Sequence, residues 1–302
     1  MKRILSFFSF IFLGAFLNLL SAQISNSEKQ ALTDLYNSTS GDTWTNSWDF
    51  SMQPIDWYGI TIKDNHVVEI NLHKNNLQGT IPESIRNFKR IEILNLAFNK
   101  ITGEVPLEVV KLERLKILKL EMNRMKGCIP KMIGHLSDLR ELTLFNNMFE
   151  GSIPESIGDA EKLEILNLSS NFFKGSLPTT MKNLTNLKNL ELFGNKFNGK
   201  IALDFRKFES LSHLVLAYND FEGAVPKGLE KLENLEFVQL QGNRFNSYKS
   251  LQNLKLEGLA TFDSDNMDLN IKYNPTRTSL KGSKTRNVKE SRMVDTKFEK
   301  EN

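Results

Sequence analysis

Residues 115–130 read LKILKLEMNRMKGCIP and residues 163–178 read LEILNLSSNFFKGSLP: the same frame of apolar positions, asparagine, glycine and proline. The asparagine recurs at Asn75, Asn99, Asn123, Asn147, Asn171, Asn195, Asn219 and Asn243, a spacing of 24 residues held without insertion. Eight copies in register make the chain an array. A unit this short cannot bury its apolar side chains until a neighbour covers it, so the eight fold as one body.

Each position of the frame has a physical task. Apolar residues two apart, such as Leu142 and Leu144, point to one side of a short extended strand while their neighbours point to the other, so strands of successive repeats stack in parallel. The asparagine follows the strand where the chain turns; its amide can bond the turn's unpaired backbone groups and those of the next repeat, a structural ladder and not a binding site. Glycine at 79, 103, 127, 151, 175, 199 and 223 suits a tight backbone path, and Ile81, Val105, Ile129, Ile153, Leu177, Ile201 and Val225 add an inward layer. Proline at 82, 106, 130, 154, 178 and 226 fixes the chain before a short helical or 3₁₀ segment. Ala202 breaks that column, and the turn there is expected to be the least restrained seam of the array.

The ends read differently. Residues 1–22, with Lys2 and Arg3 before an apolar run and Ser21 and Ala22 at its close, have the layout of a secretory signal peptide. Residues 23–66 read as an N-terminal cap: Ser25 and Glu28 stand at capping-box spacing, and Ala31, Leu32, Leu35 and Tyr36 share one helical face. Trp44, Trp48 and Trp57 follow and are expected to seal the first repeat, a ligand cage being the alternative. The eight repeats occupy residues 67–247. Residues 248–273, with Leu251, Leu254, Leu256, Leu259 and Phe262, read as a closing cap, and residues 274–302 as a flexible basic tail. No second apolar stretch approaches 18 residues, so the mature chain is expected to carry no transmembrane span and to be secreted, periplasmic or on the cell surface.

The string LxxLxLxxNxLxGxIPxxIxxL resembles the plant-type subfamily of leucine-rich repeats, found in receptor-kinase ectodomains and in secreted inhibitors of pectin-degrading enzymes. The resemblance covers residues 67–247. The stretch at Trp57, Tyr58, Gly59 and Ile60 is similar to the cap of that subfamily, although the paired cysteines that normally flank it are other residues here. With its Lys, Asn and Phe richness the chain looks more like the secreted members from Bacteroidota-type bacteria. The resemblance implies an α/β leucine-rich repeat solenoid, a curved parallel sheet on the concave face and short helical or 3₁₀ segments on the convex one, acting as a protein-recognition module.

Function is then expected on the strand residues that face away from the core. These are the second, third, fifth, seventh and eighth places of LxxLxLxxN. Phe98, Met122, Phe145, Phe193, His213, Tyr218 and Phe237 fall there and are the candidate ligand-binding residues, with partial burial within the face as the alternative. The same columns hold five basic residues (Lys74, Lys116, Lys119, Arg140, Lys188) and seven acidic ones (Glu69, Glu92, Glu121, Glu141, Glu164, Glu191, Glu236), a mixture that argues against nucleic acid, a polyuronate or another polyanion as the ligand. Residues 23–273 carry a net charge of −3, the whole-chain +3 less +2 from residues 1–22 and +4 from residues 274–302, which points the same way.

An enzyme is not expected. His73 and His213 lie on the first and seventh strands, roughly 29 Å apart at ~4.8 Å per strand, and cannot share a metal or a proton. His66 and His135 read as solvated surface residues. No phosphate loop, HExxH or GxSxG occurs, and one cysteine, Cys128, leaves no disulfide framework. No cofactor or metal is expected, and the partner is a protein or extended peptide. Carbohydrate or cell-wall binding, or inhibition of a polysaccharide-degrading enzyme, are the alternatives.

Overall fold

The computed structural model describes residues 24–251, 253, 254 and 259–264; the expected signal peptide and basic tail, and Leu256 of the closing cap, lie outside the described residues. A ten-stranded sheet forms the framework: β1 (Ile60–Lys63), β2 (His66–Asn71), β3 (Ile93–Asn95), β4 (Ile117–Lys119), β5 (Glu141–Thr143), β6 (Ile165–Asn167), β7 (Asn189–Glu191), β8 (His213–Val215), β9 (Phe237–Gln239) and β10 (Thr261–Asp263), in that spatial order. Only β1 is antiparallel, closing the edge against β2. Strands β2 to β9 belong to the eight repeats, and register advances by one whole repeat each time, Leu142 facing Leu166 and Leu166 facing Leu190. The closing cap contributes more than apolar cover, since β10 adds a further parallel strand beside β9.

Behind the sheet runs the core. The paired leucines of each strand are fully buried, as are the 3₁₀-segment residues Ile85, Val109, Ile133, Ile157 and Met181. In the later repeats the apolar residue after the asparagine is phenylalanine, and Phe149, Phe173, Phe197, Phe221 and Phe245 stack with ring centroids 6.0 to 6.4 Å apart and planes within 11°. Short strands beside this ladder pair into a second set of parallel sheets along the flank. The convex segments are 3₁₀ turns; those at Glu83–Asn87, Leu107–Lys111, Glu155–Asp159 and Thr179–Asn183 each begin directly after the frame proline.

The seam expected at Ala202 is filled. Asp204 accepts the Arg206 N–H at 3.1 Å and so caps the turn that proline starts elsewhere. Phe205 and Phe208 are fully buried with rings 5.1 Å apart, and the Phe205 N–H reaches the Lys227 carbonyl of the next repeat at 2.9 Å. Two large aromatics and a cross-repeat hydrogen bond replace the lost restraint on the backbone.

Helix α1 (Asn26–Ser38) opens with the Ser25–Glu28 capping box and buries Ala31, Leu32, Leu35 and Tyr36. Glu28 is itself buried: one carboxylate oxygen meets Ser25, the other accepts the Val67 N–H at 3.1 Å, and His66 Nδ1 lies 3.4 Å away. His66 is therefore half-buried against the clip that ties the cap helix to β2, not the solvated residue expected. The tryptophans are sealed. Their indole N–H groups donate to the carbonyls of Thr39, Tyr58 and Asp49 at 2.9 to 3.0 Å, and Trp48 and Trp57 stack at 4.8 Å, so no polar handle is left for a ligand.

The frame asparagines join consecutive repeats. Asn147 Nδ2 donates to Leu144 of its own turn at 3.1 Å and to Leu120 of the preceding one at 2.9 Å, while Oδ1 accepts the Met125 N–H at 2.9 Å. The pattern recurs at Asn171, Asn195 and Asn219. Replacing Asn147 by Ala orphans one buried N–H and two carbonyls and should cost at least about 2 kcal/mol in urea denaturation. Asn186→Ala, whose amide reaches the Glu161 carbonyl on the exposed convex side, should cost less than ~0.5 kcal/mol. Equal losses at the two sites would sink the ladder as the main cross-repeat bond.

Candidate binding face

The outer face of the ten-stranded sheet collects one side chain from each repeat at each outward place of the frame. At the eighth place all eight residues have left-handed backbone: Lys74, Phe98, Met122, Asn146, Ser170, Gly194, Tyr218 and Gly242, with φ between 51° and 70°. The chain turns off the strand there into the asparagine, and glycine or asparagine adopts this conformation with least strain. Phe98, Met122 and Tyr218 hold it at a steric cost.

The candidate aromatics fall into two clusters and do not form one continuous band. In the first, His73 and Phe98 lie 5.0 Å apart and Phe98 and Phe145 6.5 Å, with Met122 on the strand between. The second comprises two separate pairs at different outward places of the frame: Phe193 meets Tyr218 edge-on at 5.3 Å, and His213 stacks on Phe237 at 5.7 Å. Ser169 and Ser170 separate the clusters. Phe98 is 41% exposed; Met122, Phe145, Phe193, His213, Tyr218 and Phe237 are half-buried because each leans on a neighbour across the strands. Six of the seven candidates are thus partly buried, through pairing between repeats that position-by-position reading cannot see.

Charge on this face is also paired across repeats. Lys116 binds Glu92 at 2.7 Å, Lys119 binds Glu141 at 2.8 Å, and Glu164 sits between Lys188 at 2.6 Å and Arg140 at 2.8 Å. Lys188, and then Arg140, hold the Glu164 carboxyl below the ordinary glutamate range. These pairs wall an open groove of about 260 Å³ floored by Ile93, Ile117 and Ile165. Among the described residues Glu69, Glu121, Glu191 and Glu236 form no ion pair; Glu121 is buried and accepts the Thr143 hydroxyl, and Glu191 accepts the amide of Asn167 at 2.8 Å. Among the described residues Lys74 is the one face cation outside an ion pair. Pairing leaves the net charge of the face at −2, five basic residues against seven acidic, but the groups outside ion pairs are mostly carboxylates.

A second concavity, about 610 Å³, lies where the cap hairpin meets the first two repeats and is lined by Tyr58, Thr61, Glu69, Asn71, His73 and Asn95 among others. The Thr61 hydroxyl and the Asn71 amide donate to the Glu69 carboxylate at 3.2 and 3.3 Å. Its floor exists because Gly59, at φ 77°, lets the hairpin close: a Cβ there would lie 2.1 Å from the Asn71 carbonyl oxygen. Tyr58, 48% exposed, was not foreseen as a site residue, since its neighbours Trp57 and Gly59 mark the stretch as cap. His73 and His213 stand on strands six steps apart, and no group of three or more His, Cys, Asp or Glu among the described residues could hold a metal ion.

Comparison with known proteins places this geometry. The Leucine Rich Repeat family profile matches residues 66–88, 138–160 and 162–184. No sequence among curated proteins matches the chain. Among solved structures it is similar to PEPR1 in the PEPR1–AtPEP1 crystal structure, with 27% identity, a TM-score of 0.68, and coverage of 76% of this chain and 34% of that one. The plant peptide hormone receptor RGFR1 in complex with RGF2 shares 28% identity at a TM-score of 0.57, over 61% of this chain and 30% of that one. The Arabidopsis receptor kinase HAESA, in complex with the peptide hormone IDA and the co-receptor SERK1, shares 25% at 0.62, over 76% and 44%. The chain thus spans a third to somewhat under half of the length of these proteins. No helix among the described residues is long and apolar enough to cross a membrane. The three matched segments are leucine-rich repeats, and the fold of the array is a leucine-rich repeat solenoid.

Proposed function

We propose that this chain is an exported, non-enzymatic recognition module that binds a protein or an extended peptide across the outer face of its ten-stranded sheet. One observation carries the reading: Phe98, Met122 and Tyr218 occupy left-handed positions of a column in which Gly194 and Gly242 do the same backbone work without a side chain. Large apolar residues kept at strained backbone on an outward face serve something other than the fold. The peptide ligands named for PEPR1, RGFR1 and HAESA support this reading by similarity of fold.

The arrangement of the face suggests the ligand's chemistry. From Phe98, just past β3, to Phe237 on β9 the chain crosses six strand spacings of about 4.8 Å, or roughly 29 Å, the reach of about nine extended residues. Two aromatic clusters would take two apolar anchors, with the serines of the fifth repeat leaving room for backbone between them. Surplus carboxylates at Glu69, Glu191 and Glu236 favour lysine or arginine in the bound segment.

A random peptide library panned against the protein should enrich sequences with two apolar residues separated by several positions and with net positive charge. Phe193→Ala should weaken the best of these peptides about thirtyfold, roughly 2 kcal/mol, and leave folding nearly unchanged. Leu192→Ala, one residue away but fully buried, should instead cost about 2 to 5 kcal/mol of stability. Enrichment of acidic peptides, or peptides indifferent to Phe193, would refute the assignment.

The strained column gives a separate test. Phe98→Asn exchanges a bulky residue for one at ease at positive φ, so the melting temperature should hold or rise by a degree or two while peptide affinity falls. A loss of stability above about 2 kcal/mol would show that Phe98 is there for packing.

A further inference from the structure

Away from the binding face, the flank built by the short parallel strands carries the opposite charge. The strands Lys100–Ile101, Lys126–Gly127, Met148–Gly151, Phe172–Gly175 and Lys196–Lys200 lie side by side, each presenting alternate residues to solvent. Across them stand Lys100, Arg124, Lys126, Lys174, Lys196 and Lys200, all exposed and none in an ion pair among the described residues; Glu104 and Glu150 are the acids in their midst. The −3 of residues 23–273 is therefore an average over a sorted surface: the sheet face pairs four of its five cations across repeats, whereas these six flank cations stand outside ion pairs, and further acids enter only on the next strands of the flank, where Glu222 is the register partner of Lys200 and Arg244 binds Asp220 at 2.6 Å.

Two details make the flank more than a solvated surface. Lys174 and Lys196 are register partners on adjacent strands, and like charges set directly opposite each other oppose pairing. Beside them Phe172 is 49% exposed and Met148 45%, and Lys196 Nζ stands 5.2 Å over the Phe172 ring. Every other phenylalanine of this column's neighbourhood, Phe149, Phe173 and Phe197, is buried in the core. An open aromatic ring edged by two unpaired ammonium groups offers a flat apolar platform and an anion site within one side chain's reach.

We infer that this flank binds an acidic polysaccharide, a sugar ring resting on Phe172 and its sulfate or carboxylate between Lys174 and Lys196. Cations stand on or beside four of the five strands, which lie about 4.8 Å apart, so an extended chain laid across them meets positive charge on both sides of the strand Met148–Gly151. Double-stranded nucleic acid would need a longer continuous run of cations, and Glu150 and the neutral Phe172–Met148 patch interrupt this one. The site is independent of the peptide-binding reading, which uses the other face.

Dextran sulfate, with neutral dextran and inorganic polyphosphate as companions, tests it on the purified protein. The protein should bind dextran sulfate with an affinity that falls steeply with salt, and should not bind dextran. The double change Lys174→Gln and Lys196→Gln should weaken dextran sulfate at least about tenfold, and Phe172→Ala about fivefold, with unaltered melting temperature. Phe172→Ala should leave polyphosphate binding unchanged, since only the sugar uses the ring. Phe193→Ala, on the sheet face, should leave dextran sulfate binding intact. Dextran sulfate binding that ignores these flank changes, or Phe172→Ala acting equally on polyphosphate, would overturn the inference.

Discussion

A 24-residue coil of this chain has no interior until another coil lies on it. Everything else follows from that constraint. The leucines of one repeat become buried only beneath the leucines of the next, and the groups left unpaired where each strand turns away are satisfied across the same boundary. The frame asparagine does this with one short side chain: Asn171 Nδ2 reaches Leu144 of the previous repeat at 2.9 Å, and Oδ1 holds the Phe149 N–H at 3.0 Å. Since it is both donor and acceptor, neither aspartate nor leucine could take its place. The two ends, which have a neighbour on one side only, need other material, and the tryptophan cluster and the Glu28 clip supply it at the N-terminal end.

That mode of assembly also settles where function can reside. Inward positions and the asparagine column are committed to holding repeats together, whereas outward positions on either sheet are free to differ from repeat to repeat. They do differ, and in a sorted way. On the ten-stranded sheet the long charged side chains reach across to the adjacent repeat and neutralise one another, as in the Arg140–Glu164–Lys188 triad, leaving aromatics and a few carboxylates exposed to a partner. Exposed ion pairs of this kind contribute little stability, but they decide which charges remain for a ligand to meet. On the flank Lys100, Lys126, Lys174 and Lys196 form no ion pair among the described residues.

The solenoid was legible in the sequence because its cause is periodic. A spacing of 24 residues fixes the strands, their parallel order, the inward leucines and the asparagine column together, and a capping box and three tryptophans mark the first lid. What escaped were features that depend on contacts between repeats or on residues outside the frame. His66 looked solvated because its partner, Glu28, lies 38 residues away on the cap helix. The proline gap at Ala202 looked weak because the frame places of Phe205 and Phe208, held by Met181 and Leu184 one repeat earlier, do not reveal the Asp204 cap or the bond from Phe205 to the Lys227 carbonyl. The aromatics of the binding face were found by column, yet their division into two clusters rests on side chains leaning across strands, and Tyr58 was hidden by its place in the cap.

The left-handed column shows how a repeat protein separates fold from function within a single residue. At the eighth place the backbone must take φ near 55° in every repeat, since the chain there leaves the strand and delivers the asparagine to the ladder. The fold specifies the dihedral angle and nothing about the side chain. Asparagine and glycine occupy three other repeats at little cost while Lys74 and Ser170 share the strain, so the presence of Phe98, Met122 and Tyr218 is not explained by any requirement of the coil. Their rings and thioether project from the rim of the sheet beside His73, Phe145 and Phe193, at the point where the backbone is held most firmly by the asparagine below. A binding residue placed there inherits rigidity from the ladder, and less conformational entropy is lost when a partner docks.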